Sequence, residues 1–275
     1  MQRVLLLTVL FSLAGCTTLV IDSGDPLPGK SPLRAARGSD DAATLEIYWA
    51  RLPLGGEHDE SAFWNALHEH RVDAAVRRRL ADNGLRAGVF GGALPDEVVK
   101  MLNPDGASGS NDTGDLLRET GVSRRIKQMR PGQQLDLQAC DELAEASLVW
   151  MTPDGRMEGA TYEQALPTYA LTLASVEGGR ARVRLTPEMR HGAPKHKYVS
   201  DETGLIGRQS MQREARVFDD LAMSVDLAPG ETLLVVSSEE AGSRLGGYLH
   251  ATDEKSGRRR AILIRVAQTP AEKLF

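Results

Sequence analysis

The chain has 275 residues and a formal net charge of −5, with Asp and Glu outnumbering Lys and Arg. That length suits one or two domains with a core large enough to stand without staples. The absence of a basic field speaks against a nucleic-acid partner.

The chain opens Met1-Gln2-Arg3, then runs apolar from Val4 to Leu13 and closes on Ala14-Gly15-Cys16. One positive charge ahead of about ten apolar residues and a small-residue ending is the layout of a secretory signal. The run is too short for a membrane helix, which needs roughly 20 apolar residues. Leu13-Ala14-Gly15-Cys16 resembles a lipobox. The resemblance implies cleavage after residue 15, a diacylglycerol on the Cys16 sulfur and an acylated (palmitate-type) new amino terminus. Several chains on one residue anchor firmly, since each buried methylene contributes about 0.8 kcal/mol. Thr17, rather than Asp, after the cysteine implies the outer membrane, with the body facing the periplasm. With Cys16 lipidated, Cys140 has no partner for a disulfide within the chain. It reads as a small buried residue.

Residues 16–42 are rich in Ser, Asp, Gly and Pro and read as a flexible tether. Residues 43–103 predict a small α+β module. Leu45, Ile47 and Trp49 alternate with polar neighbours as a strand, ended by Pro53 and Gly55-Gly56. Phe63, Trp64 and Leu67 follow at helical spacing, and Val72, Val76 and Leu80 make the stripe of a second helix. Asn83-Gly84 stops it. Leu85–Phe90 is a strand, and Pro95 starts a third short helix. Residues 104–132 read as a linker with a short helix.

From 133 to 270 the pattern is mainly antiparallel β. Thr152-Pro153-Asp154-Gly155 is a turn, and Gly178-Gly179 joins two alternating runs into a hairpin. A strand over Leu221–Leu227 turns at Pro229-Gly230 into the apolar run Thr232–Val236, and Ala261–Val266 is the last strand. The expected fold class is α+β: a βααβα module followed by a β-rich module.

Residues 180–268 resemble the β-domain of secretins, the ring-forming outer-membrane channels of bacterial secretion systems. The likeness rests on the strand before Ala228-Pro229-Gly230, on Thr232–Val236, on Arg244-Leu245-Gly246-Gly247-Tyr248-Leu249, and on the final strand Arg260–Val266. The family's second glycine pair is here Ser237-Ser238, and the segment Gly192–Glu202 is too charged for a lipid-facing strand. The resemblance therefore implies fold kinship without the pore. Residues 83–89 also resemble uncharacterised envelope lipoproteins of planctomycete type.

Candidate chemistry is sparse. His58, His68 and His70 lie near Asp59 and Glu69, but His68 and His70 are two apart, the wrong spacing for a helical metal pair. His191 and His196 flank a loop with Lys195 and Lys197, and no partner nucleophile is specified for them. Trp49, Trp64 and Trp150 suit core packing better than a carbohydrate platform. No serine elbow, phosphate loop or HExxH motif occurs. The sequence thus predicts no catalytic, metal or cofactor residues and one modified residue, Cys16. It predicts an envelope lipoprotein that contacts an envelope partner or itself; a ligand- or glycan-binding lipoprotein or a divergent hydrolase is the alternative.

Overall fold

In the computed structural model the described residues are 41–52, 61–92, 94, 96, 98, 99, 122–200, 207–251 and 258–270. Cys16, the signal, the tether up to residue 40 and His58 lie outside them. All described residues belong to the compact unit Gly38–Phe275. The unit is mainly antiparallel β sheet with few short helices.

The strands are β1 (Ala43–Leu52), β2 (Leu67–His68), β3 (Leu85–Phe90), β4 (Ser123–Met129), β5 (Gln134–Gln138), β6 (Leu143–Met151), β7 (Met157–Glu177), β8 (Arg180–Ser200), β9 (Gly207–Val217), β10 (Met223–Leu227), β11 (Thr232–Ser237) and β12 (Arg259–Gln268). The helices are α1 (Ser61–Ala66), α2 (Ala74–Asp82) and α3 (Leu245–Leu249). One sheet has the order β2-β3-β11-β12-β1-β4. The other has β10-β8-β7-β5, with β6 added on β7 and β9 on β8.

Alternation in the strands builds two cores. Leu45 and Ile47 of β1, Ala87 and Val89 of β3, Leu233 and Val235 of β11, and Ile262 and Ile264 of β12 share one face. They bury against Leu137, Leu171, Leu173, Val183, Leu185 and Val225 of the second sheet. The odd residues of β1 point one way and the even ones the other, as a period of two demands. Tyr48, Ala50, Leu52, Leu234, Val236 and Leu263 therefore line the opposite face, where Phe63 and Leu67 cover them. The first sheet is apolar on both sides, which explains the unbroken run Thr232–Val236.

Two sequence expectations need correction. The segments 43–103 and 133–270 are not separate modules. β11 pairs with β3, β12 pairs with β1, and these strands from both segments form the middle of one sheet. Local pattern cannot reveal which distant strands pair. The segment expected as linker and short helix ends in a strand, β4, which pairs with β1 from Ala43↔Met129 to Trp49↔Ser123. Its residues Ser123-Arg124-Arg125-Ile126-Lys127-Gln128 are exposed. An edge strand carrying cations resists pairing with other chains, and that charge hides its alternation. The third short helix falls largely outside the described residues.

The expected turns form for the expected reasons. Gly178 and Gly179 have φ of +55° and +69°, the two left-handed positions that a two-residue hairpin between Glu177 and Arg180 requires. α2 is capped by Asp73, whose carboxylate accepts from the Ala75 and Val76 amides at 2.9 and 3.0 Å. At its other end Asn83 does more than stop the helix. Its buried amide donates to the carbonyls of Arg79 and Met151 and accepts from the Met151 N–H, tying α2 to β6. A Cβ at Gly246 of α3 would sit 1.8 Å from the carbonyl oxygen of Gly84, so only glycine lets α3 lie on that turn. The segment 180–268 that resembles the secretin β-domain contributes strands to both sheets, and its Arg244–Leu249 element carries helix α3.

Candidate functional site

Two features stand apart from the packed sandwich: a groove at one end and a ribbon that leaves the second sheet. The groove, of about 800 Å³, opens where the start of β4 and the end of β5 lie beside β1 and the start of β12. β4 and β5 are consecutive strands of different sheets, joined by a short turn through Gly132. The groove lies at their other ends.

Register places its side chains. Arg51 stands opposite Arg260, Trp49 opposite both Ile262 and Ser123, and Arg125 opposite Ile47. Residues opposite one another in a ladder share a face, so Trp49, Arg51, Arg125, Arg260 and Ile262 lie on the face turned towards the second sheet. Arg124 lies on the other face and pairs with Glu46, whose carboxylate also accepts from the Tyr48 hydroxyl at 2.9 Å. The Trp49 indole N–H donates to the Gln138 carbonyl at 2.8 Å, which fixes the ring as a wall. Arg260 approaches Asp141 at 3.4 Å, but that aspartate side chain is 90 % exposed. Such a pair contributes little.

Beneath the cations the groove is neutral. His250 is buried, and burial pushes its pKa down to about 3. We assign its tautomer from its bonds: Nδ1–H donates to the Arg260 carbonyl at 3.2 Å, and Nε2 accepts from the Tyr169 hydroxyl at 2.7 Å. Cys140 is buried and unpaired by any disulfide; its thiol donates to the Tyr248 carbonyl at 3.1 Å. Burial pushes that thiol up to about 11, against the pull of Arg260. A thiol so held has almost no thiolate at neutral pH and is a poor nucleophile. With both nitrogens of His250 committed and Cys140 protonated, this arrangement suits holding a ligand rather than attacking one.

The ribbon begins at a fork. Up to Leu166↔Arg190, β7 and β8 pair with each other; beyond it β7 pairs with β6, and β8 with β9. Gln164, at the fork, has φ +48°, a left-handed value that costs a non-glycine residue about 1–2 kcal/mol. Its carbonyl accepts from Arg213 of β9 at 3.0 Å, and Arg213 also pairs with Glu142. Tyr162 of β7 and His191 of β8 meet with ring centroids 4.8 Å apart. From Met211 to Val217 every residue but Arg213 is exposed. Among the described residues no strand pairs with the outer edge of β9.

The residues singled out in the sequence are dispersed. His68 and His70 are not on one helix: His68 is in β2 and His70 in a 3₁₀ turn, with rings 5.4 Å apart. His191 and His196 lie in β8, not in a loop. Among the described residues no group of three His, Cys, Asp or Glu could hold a metal ion. Trp150 is buried against Phe218, and Trp64 stacks under Arg86, 3.6 Å from its ring centre. The groove arginines escaped sequence reasoning because Arg51, Arg125 and Arg260 come from three different strands; only the registers of β1 with β12 and with β4 unite them.

Compared with models of known protein families, with curated proteins and with solved structures, the chain matches none.

Proposed function

We propose that this chain is a lipid-anchored protein of the bacterial envelope, held through Cys16 on the outer membrane and facing the periplasm. It acts by protein–protein contact in assembly, as a distant relative of the secretin β-domain. The observation that supports contact is the β8–β9 ribbon. A two-stranded ribbon is marginal by itself in water. An unpaired outer edge invites another strand to pair along it. The partner we propose is the same edge on a second copy, since symmetric self-association is the commonest assembly.

Two measurements test this. Radiolabelled palmitate should be incorporated by the full chain and not by Cys16→Ser; equal labelling would remove the anchor. Absolute mass by light scattering of the detergent-extracted protein should show two copies. Met211→Glu, at a residue 63 % exposed on β9, should return the mass to one copy. A monomer for the unaltered chain sinks self-association.

A second reading, a ligand-binding envelope lipoprotein, is favoured by the groove.

A further inference from the structure

We infer that the edge strand β4 docks on an anionic phospholipid surface, in the leaflet that holds Cys16; the choice of leaflet rests on the anchor proposed for this chain, the lipid contact on the edge itself. From Ser123 to Gln134 the chain carries Arg124, Arg125, Lys127 and Arg130 and no Asp or Glu. Arg124 is committed to Glu46, which Arg265 also approaches at 3.5 Å. Arg125, Lys127 and Arg130 are exposed, and among the described residues none of these three side chains has an ion pair. Three uncompensated cations thus lie along one edge of a chain whose formal charge is −5. Such a molecule turns its cationic edge towards a negative surface, because its acidic remainder is repelled.

The strand's place in the sheet suits such a contact. β4 ends the order of its sheet, and among the described residues no strand pairs with its outer edge. Successive side chains of a strand point to opposite faces, so an edge laid along a surface brings both rows to it. Arg125 and Lys127, opposite Ile47 and Leu45, form one row; Ile126, opposite Glu46, belongs to the other. Long basic side chains reach headgroups with their charged ends, and Ile126, 55 % exposed between them, offers an apolar contact at the headgroup boundary. Position along the chain agrees. The polypeptide that follows Cys16 enters the sheet at Ala43, and Ala43 stands opposite Met129 of β4. The end of β1 nearest the anchor in sequence therefore lies beside the cations.

The test is sedimentation of the full chain carrying Cys16→Ser, which bears no lipid on that sulfur, with two kinds of vesicle: equal parts phosphatidylglycerol and phosphatidylcholine, and phosphatidylcholine alone. The apolar residues Val4–Leu13 are common to every variant, so the difference between vesicles reads headgroup charge. Affinity should be at least tenfold higher for the phosphatidylglycerol vesicles. Salt of about 1 M, which shortens the screening length to about 3 Å, should abolish the difference. The triple variant Arg125→Gln, Lys127→Gln, Arg130→Gln should abolish it too, since each basic residue near an anionic surface contributes about fivefold. The three single variants, at exposed positions, should each lose about fivefold and keep the test decisive if the triple variant folds poorly. Removing three other cations, by Arg77→Gln, Arg78→Gln and Arg156→Gln, should leave the preference within twofold, which separates this edge from net charge. Equal sedimentation with both vesicles overturns the inference and leaves the cations only as a guard of the edge. An undiminished preference in the triple variant, or an equal loss in the control, overturns it as well. Retention on immobilised polyglutamate without any vesicle preference would assign the edge to an acidic protein instead of lipid. The Cys16→Ser chain needs no acylation, so none of these outcomes depends on the palmitate labelling that tests the anchor, or on the copy number that tests self-association.

Discussion

β8 is one continuous strand that lives in two environments. From Arg180 to Met189 it sits inside the second sheet, paired with β7 and, over Ala181–Leu185, with β10, and Ala181, Val183, Leu185 and Met189 are buried to completeness. Past Arg190 it keeps a ladder with β9 but loses the core: Ala193, Pro194 and Lys195 are exposed. Backbone hydrogen bonds are thus present in both halves, and apolar burial in only one. Since a hydrogen bond exchanged with water contributes only about 0.5–1.5 kcal/mol net, stability should concentrate in the buried half. The projecting half is left available for contact.

The largest effect expected from that contrast is in the core. Leu171 is fully buried opposite Leu185. Leu171→Ala should cost about 2–5 kcal/mol in urea unfolding, since deleting buried methyl groups leaves a cavity. Met211→Ala in the ribbon should stay within about 0.5 kcal/mol. A comparable loss at Met211 would show that the ribbon is part of the cooperative core.

A middle-sized effect lies where the sheets meet over the groove. His250 has its folded pKa depressed by burial to about 3. In the unfolded chain a histidine titrates near 6.5. Between those values the unfolded state binds the extra proton, so stability is fully present above about pH 6.5 and is lost as pH falls towards 3. His250→Phe should flatten that part of the pH–stability curve. It should also cost about 1–3 kcal/mol by stranding the buried Tyr169 hydroxyl. The double variant with Tyr169→Phe should recover part of that cost. An unchanged curve in His250→Phe would show that the imidazole is not the titrating group.

The smallest effect is kinetic. Cys140, buried with its thiol pushed up to about 11, should react with iodoacetamide at neutral pH far more slowly in the native chain than in denaturant, read by mass spectrometry. Equal rates would place the sulfur at an open surface of the groove.

Much of the local structure was legible. The alternation in β8 and β10, the Gly178-Gly179 hairpin and the packing of Val76 and Leu80 on α2 follow the spacing, whereas β1 buries Glu46, Tyr48, Ala50 and Leu52 as well as Leu45 and Ile47, and Val72 lies ahead of the helix. β4 was not legible, because exposed cations on an edge erase the apolar alternation. The His68–His70 geometry was missed because the helical spacing of Phe63, Trp64 and Leu67 continues into a segment that instead pairs with β3. Asn83 carried a visible stop signal but not its bonds to Met151, which come from a distant strand.

What residues 41–270 determined by themselves is local: which positions face a core, where the chain turns, and where a helix is capped. Those follow from side-chain period, from glycine's freedom at positive φ, and from short polar side chains bonding nearby amides. Tertiary structure alone decided that β1 and β3 flank β11 and β12, that Arg51 faces Arg260, and that β7 and β8 part company at Arg190. The physical reason is that strand partners are chosen by the burial available across the whole sheet. A strand's own pattern says which face is apolar, and leaves open which distant strand will lie beside it.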